Sequence, residues 1–526
     1  METRRPSLRL APLALASLAF AGPAVAQSAG PSNAELDQRI KILERQLELQ
    51  KEEADAKAKD ATSTKIDEKG VSIRKGDLEL KIKGLVQFDA RTFIDDYNPT
   101  NVVVTPSTNT NALHFNDTGT FRRIRPTLEG TFGPLIGFRL TPEFAGSGSG
   151  DAASLVDAYI DLKFDPAYTL RAGKVKGPVA LERIQSGGTL TFVERGFPTE
   201  LAPNRDLGIQ LQGELFASTV NYTIGAYNGT ADGRDVVTND GDNKKELGAR
   251  LFFEPFKNDP GLLQGLGFGV GSSFGKKEQG ELNAANANAF LPRYRTQGQN
   301  QFFTYSTTPV AATAAAAGTP AGTLGTAGSS GVFADGDHSR IAPQLYYYRG
   351  GFGLLSEYIV SEQEVGVGFI PGALAGTTGT ALTTPTALTR DKLENTAWQV
   401  VASYVLTGED ASFRGVVKPT NPFTIGKPGW GALEVAARYG ELEIDEDAFE
   451  APTDGGVTFA RYANPVTQAS EAKAWAVGVN WYLTGNVKVV VNYIQTTFEG
   501  GGGGTADAPE DREDEKAVFG RLQLSF

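Results

Sequence analysis

From residue 77 to residue 526, apolar residues recur at every second position in one segment after another, and the links between segments alternate between short and long. Candidate strands fall at 78–97, 119–132, 135–146, 152–164, 168–174, 207–217, 219–227, 245–256, 264–274, 338–349, 351–361, 394–407, 430–443, 470–484, 487–499 and 515–526. They number sixteen, and an even count is what an antiparallel sheet closed across an outer membrane requires. "FGPLIG", "DPAY", "FAST", "RGG" and "LTGN" are short links after alternate strands, whereas 175–206, 275–337 and 444–469 are long. The link 408–429 is long where a short one is due. A soluble sandwich or propeller gives no reason for this asymmetry. A barrel with short periplasmic turns and long external loops does, and it leaves both termini periplasmic.

Side-chain parity agrees. In "KAVFGRLQLSF", Val518, Gly520, Leu522, Leu524 and Phe526 share one face, and Phe519, Arg521, Gln523 and Ser525 the other. In "EAKAWAVGVNWYL", Trp475, Val477, Val479 and Trp481 oppose Ala474, Ala476, Gly478 and Asn480; in "NVKVVVNYIQ", Val487, Val489, Val491 and Tyr493 oppose Lys488 and Asn492. The reading is apolar outside, polar or small inside. Only a closed barrel lets such strands satisfy every backbone group in lipid.

The N-terminal region is of another kind. Arg4 and Arg5 precede, and Arg9 lies near the start of, the apolar "LRLAPLALASLAFAGPAVA", which ends in an Ala-Val-Ala cleavage pattern. Residues 1–26 therefore read as a secretory signal peptide, with Gln27 the first mature residue. Beyond residue 26 no apolar run approaches the roughly 20 residues of a membrane-spanning helix. In residues 27–76, Ser32 and Glu35 form a capping box. Leu36, Ile40, Leu43, Leu47, Gln50 and Ala54 then follow heptad spacing with charged flanks. A short periplasmic coiled coil, and hence more than one copy of the chain, is expected; a single amphipathic helix lying on its own domain is the alternative. The third division, 77–526, is the barrel.

Composition narrows the function classes. There is no cysteine, and His114 and His338 are the only histidines, without metal-ligand spacing, so they read as loop or strand-end residues and no metal or cofactor is expected. No nucleophile motif accompanies either histidine, so a barrel enzyme is not expected. The formal charge is −12, and removing Glu2, Arg4, Arg5 and Arg9 leaves about −14, which argues against a nucleic-acid binder. Net charge does not exclude a local positive field inside the barrel.

Such a field is suggested by "TFRRIRPTLEG" (120–130). Parity sends Arg123, Arg125, Thr127 and Glu129 to the lumen and Ile124, Pro126, Leu128 and Gly130 to lipid, since an arginine at the lipid midplane costs roughly 2–4 kcal/mol. Arg122 has the wrong parity, so it sits at the loop end of the strand or on a bulge. The link 175–206, "VKGPVALERIQSGGTLTFVERGFPTELAPNR" after Lys174, carries Lys176, Arg183, Arg195 and Arg205. Glu182 and Glu194 each precede an arginine. Local salt bridges stiffening an inserted loop, guanidiniums facing an aperture, or both follow from this pattern.

"FRRIRPTLEG", "LVDAYIDLKF", "LRAGKVKGPVALERIQS", "TFVERGFP", "NRDLGIQ" and "YVLTGED" occur in order, and on these motifs the chain after residue 77 resembles the phosphate-selective porins of the O/P type. The resemblance implies a homotrimer in the outer-membrane lipid of a Gram-negative cell, each pore passing phosphate, polyphosphate or other small anions. By the same resemblance Arg122 and Arg123 match the constriction's arginine pair, Asp157 its carboxylate, Ser186 one of its serines, and Arg183 and Arg195 its further basic residues. Arg293 and Arg295 resemble an outer ladder that draws anions inward. Leu85 stands where some members place an arginine, Gly187 replaces a second serine, and Arg139 lies only near a family lysine. A general anion-preferring porin and an envelope-tethering structural protein are the other readings. Arginine suits the task because it stays charged and its forked donors match phosphate oxygens. A ladder of weak sites suits conduction better than one deep pocket, and Asp157 would temper the field so that no ion is captured permanently.

Overall fold

A computed structural model describes residues 32–60, 62–95, 115, 117–146, 153–236, 242–278, 290–313, 315, 320, 323–372, 385–414 and 417–526, without the side chains of 53–60 and 95. The signal segment 1–26 and His114 lie outside the described residues. The chain divides into two compact units, residues 1–61 and 62–526.

In the first unit, helix α1 (Asn33–Asp60) starts where the capping box places it, with the Glu35 amide donating to Ser32 Oγ at 3.3 Å. Leu36, Ile40, Leu43 and Leu47 are exposed along it in the single chain.

The second unit is a closed antiparallel barrel of sixteen strands. They are β1 (Leu78–Asp95), β2 (Thr118–Phe132), β3 (Ile136–Glu143), β4 (Ser154–Asp165), β5 (Tyr168–Val175), β6 (Asp206–Leu215), β7 (Val220–Tyr227) and β8 (Glu246–Phe253). The circuit continues with β9 (Leu266–Glu278), β10 (Gly328–Arg349), β11 (Phe352–Ile370), β12 (Ala387–Val405), β13 (Ala432–Glu443), β14 (Ala469–Tyr482), β15 (Val487–Thr505) and β16 (Glu515–Ser525). Each pairs with the next, and β16 pairs with β1 from Leu85↔Ser525 to Asp95↔Lys516, so no edge is left in the wall. A hairpin, Ser63–Asp67 with Gly70–Lys75, adds to the first residues of β1 below that closure.

Parity holds around the wall. Trp475, Val477 and Val479 on β14 are exposed, while Ala474, Ala476 and Asn480 between them are buried. Strands β10, β11, β12 and β15 extend further than the alternation suggests. The added part of β12 carries Arg390 and Lys392 outward, Arg390 ion-paired with Asp335 of β10 and Lys392 with Asp337 of β10 and Glu362 of β11. Such residues belong above an apolar band, and in sequence they read as loop.

One expectation is overturned. The inner face is not uniformly polar or small: Val365 and Val367 of β11, Leu393 of β12 and Leu442 of β13 all point inward and are buried. They meet Phe290, Leu291, Tyr294, Phe302, Phe303 and Tyr305 from the long connection between β9 and β10, together with Phe459 and Tyr462 from that between β13 and β14. These connections fold into the barrel and fill that side with an apolar core. The short hairpin Arg293–Arg295 with Gln301–Thr304 belongs to this insert. His338 is corrected likewise: it lies within β10, fully buried, not in a loop or at a strand end.

Candidate functional site

The connection from β5 to β6, residues 176–205, lies inside the barrel. Its apolar residues anchor it: Leu181, Phe192 and Val193 pack against inward Leu355, Val401, Val490 and Phe519. Its polar groups are held by the wall as well. The amide of Val193 donates to Asn492 Oδ1 at 2.7 Å, and Lys488 Nζ donates to the Leu190 carbonyl at 2.7 Å. A single helical turn, α2 (Leu181–Ile184), presents the Leu181 amide to the Glu357 carboxylate at 2.6 Å.

Arg122 is turned toward this connection by a bulge. The pairing of β1 and β2 slips between Gln87↔Arg123 and Phe88↔Phe121, leaving Arg122 as the extra residue. Its guanidinium grips Glu194 of the insert with both ends, Nε to Oε1 at 2.6 Å and Nη2 to Oε2 at 3.1 Å. Arg91 donates to the same carboxylate at 2.7 Å. Burial alone would raise the Glu194 carboxyl. Arg122, then Arg91 and Arg123, outweigh it and hold the group far below the usual carboxylate range.

The insert separates two cavities. The outer one, toward the long connections, has a volume of about 370 Å³ and is lined by Arg122, Arg183, Arg195, Arg234, Arg293 and Arg295, with Glu194, Glu200 and Asp235. Of its six guanidiniums, Arg122 alone has an ion-pair partner among the described residues. Arg183 donates to Asn204 Oδ1 at 3.3 Å and to the Thr199 carbonyl. Arg195 donates to the carbonyls of Glu182 at 3.0 Å and Gln185 at 2.7 Å. Burial, then Arg183, pushes Arg195 down to about 9, and burial with Arg293 and Arg295 pushes Arg234 down to about 10. The cavity thus holds positive charge that its own wall does not neutralise.

The inner cavity, about 490 Å³, reaches the short-turn end, where Ser525 and Phe526 line it. Of its cations, Arg125 pairs with Glu143 at 2.5 Å, Arg171 with Asp161 at 2.7 Å, Arg205 with Asp157 at 3.1 Å, and Lys83 and Arg139 with Glu129. Lys176 and Arg250 bond to neutral acceptors, the Ile184 and Gln185 carbonyls and Gln344.

The residues singled out in the sequence are therefore split. Arg122, Arg183, Arg195, Arg293 and Arg295 meet in the outer cavity; Asp157 and Ser186 line the inner one, with Leu85. Arg123 lines neither. It faces inward as parity requires, but it is buried, donating to Gln87 Oε1 at 2.6 Å. The tip of the insert covers it: a Cβ on Gly187 would come within 2.9 Å of Arg123 Nε. The glycine in place of a serine thus permits a close approach.

Neither of the two insert glutamates that precede an arginine, Glu182 and Glu194, pairs with that arginine. Glu194 serves Arg122 and Arg91, and Glu182 accepts from the Gly196 amide and from Gln399, both at 2.9 Å. Arg234, which sequence reasoning missed, sits in the connection after β7 with no periodic signal to mark it.

His338 joins a separate network. Its Nε2 lies 3.2 Å from Ser361 Oγ and 3.4 Å from Asp232, while Arg340 bridges Asp232 at 2.6 Å and Glu246 at 2.7 Å. Nδ1 of His338 has no hydrogen-bond partner among the described residues.

A closed sixteen-stranded barrel whose lumen is narrowed by inserted connections defines an outer-membrane porin. The chain belongs to the family described as phosphate-selective porin O and P, whose model matches residues 96–526. No curated protein matches. Among solved structures, the outer membrane channel DcaP of Acinetobacter baumannii is 13% identical with a TM-score of 0.45, covering 86% of this chain and 99% of that one. The anion-selective porin from Comamonas acidovorans is 12% identical with a TM-score of 0.44, covering 85% of this chain and all of its own (100%). OmpT of Vibrio cholerae is 10% identical with a TM-score of 0.42, covering 86% and 99%.

Proposed function

We propose that the protein lets small anions, phosphate or polyphosphate foremost, diffuse across the outer membrane through an arginine-lined constriction formed where the 176–205 insert meets β2. The observation that carries this reading is the outer cavity, where five of six guanidiniums have no ion-pair partner among the described residues. Such donors hold a field for a mobile ion, and their forked geometry suits phosphate oxygens. Arg293 and Arg295 act first, Arg122, Arg183 and Arg195 next, and Asp157 then limits the field in the inner cavity. Arg123 serves from beneath the insert as a fixed charge.

The assembly we infer is a homotrimer in outer-membrane lipid, with 27–76 as a periplasmic segment. Exposed apolar residues along the outer wall support the lipid contact. The exposed Leu36, Ile40, Leu43 and Leu47 seam supports a coiled coil between copies. After export, removal of residues 1–26 would give the mature chain.

The test is current through planar bilayers. Reversal potential in a chloride gradient should show anion preference, and added phosphate should slow chloride current by occupying the same sites. Cation preference overturns the reading. Anion preference without phosphate block favours a general anion porin, a reading that Leu85 in the inner cavity supports.

A further inference from the structure

Asn204 lies at the end of the insert, one residue pair before the body of β6. Its Oδ1 accepts from two guanidiniums at once, Nη1 of Arg183 at 3.3 Å and Nη1 of Arg205 at 2.9 Å. Arg183 and Asn204 line the outer cavity, while Arg205 lines the inner one. Two donors sharing one acceptor at these lengths lie within roughly 6 Å of each other. The backbone fixes the pair in place: the Asn204 amide donates to the Arg234 carbonyl at 2.9 Å, and the Val236 amide donates to the Arg205 carbonyl at 2.8 Å. Arg183 is only 7% exposed, and its Nε has no partner among the described residues.

The chemistry of the shared acceptor decides what this arrangement does. A carboxylate of the same size would bind both guanidiniums more strongly and would place a negative charge between the cavities. An aliphatic side chain would leave Arg183 to the Thr199 carbonyl and Arg205 to Asp157, with no acceptor shared between the two like charges. The amide oxygen satisfies both donors and carries no net charge. Asp157 sits on the inner side, 3.1 Å from Arg205 Nε, and Glu200 and Asp235 line the outer cavity.

We propose that Asn204 is a positioning residue for anion transfer between the two cavities. Its neutral oxygen holds the unmatched Arg183 beside the Asp157-paired Arg205 without adding a charge between the cavities, so an anion leaving the outer cavity meets the remaining donors of the second guanidinium before it has left the first. This inference rests on the anion-conducting reading above and names the junction of its two cavities.

The experiment compares the full-length parent with Asn204→Asp, Asn204→Gln and Asn204→Ala in planar bilayers of chloride salt, each first shown to be folded by its heat-modified gel mobility. Asn204→Asp should lower chloride conductance about three- to tenfold at low salt, because a charge in a narrow, poorly solvated junction acts at low effective dielectric. The loss should shrink near 1 M salt, where the Debye length is about 3 Å. Asn204→Gln should keep most of the parent's conductance and its reversal potential. Asn204→Ala, which adds no charge, should conduct less than the parent while keeping the sign of its selectivity, and it stands in if the aspartate variant does not assemble. An anion-selective parent whose folded Asp or Ala variant matches it in conductance and reversal potential overturns the inference alone. Equal losses in Asp and Gln at both salt concentrations also overturn it, because packing and not charge would then be the cause. A cation-selective parent overturns the underlying reading instead.

Discussion

The two cavities either side of the insert are both rich in cations and use them differently. In the inner one, Arg125, Arg171, Arg205, Lys83 and Arg139 each face a carboxylate. In the outer one, Arg183, Arg195, Arg234, Arg293 and Arg295 face none at ion-pair distance among the described residues. Counting basic residues would rank the inner cavity as the stronger anion site. Pairing reverses the order, because a matched pair projects a short-range field and chiefly fixes the wall. The charge that reaches a passing ion is the charge the wall leaves unmatched.

Glu194 is the sharpest exception, a carboxylate at the outer cavity that serves two guanidiniums. Glu194→Gln should have the largest effect of any single change named here. It leaves Arg91 and Arg122 without their partner, and breaking a buried pair costs about 3–5 kcal/mol. Thermal unfolding of the detergent-solubilised barrel and protease sensitivity of the 176–205 insert should both register it. The pH dependence carries a definite sign. The folded-state value of Glu194 is depressed, so its stabilisation is fully present above the ordinary carboxylate value of about 4.3 and is lost as pH falls through the depressed value. Acid should therefore destabilise the parent more than Glu194→Gln.

Arg195→Gln should have the next largest effect. Its guanidinium ties the Glu182 and Gln185 carbonyls and contributes unpaired charge. Chloride conductance at low salt should fall about threefold, the scale of one charge removed from a partly solvated aperture. Parent-like conductance in a folded variant would place Arg195 outside the ion's path. Gly187→Ser should do least. Its Cβ would stand 2.9 Å from Arg123 Nε, so the tip or the guanidinium must shift by a few tenths of an ångström. Conductance should change less than about twofold, with selectivity intact.

Most of the wall was legible because lipid imposes a strict period of two on one face. Val518, Leu522 and Leu524 have no alternative in a bilayer, so their parity fixed β16 before any contact was known. The inner face obeys no such rule. It answers to whatever fills the lumen, which is why Val365, Leu393 and Leu442 confounded the expectation of a polar interior. Residues outside the apolar band were hidden for the same reason: Arg390 and Lys392 alternate outward in water and resemble a loop. At the site, the misfit of Arg122 with its strand was a true signal, since a bulge resolves it. Which arginines lack partners could not be read at all. The carboxylates concerned come from elements distant in sequence, as Glu194 does to Arg122, and not from the adjacent Glu-Arg pairs that invited attention.

The central claim is that unmatched guanidiniums of the outer cavity, and not matched ones of the inner cavity, set the selectivity. It is tested most directly by reversal potential in a chloride gradient, measured on the parent, on Arg293→Gln with Arg295→Gln, and on Arg171→Gln with Asp161→Asn. The first double variant removes two unpaired charges, and the second removes a matched pair held at 2.7 Å. The account predicts that the outer variant loses anion preference several-fold while the inner variant stays within about twofold of the parent. A parent-like outer variant beside an inner variant that has lost its preference would contradict it.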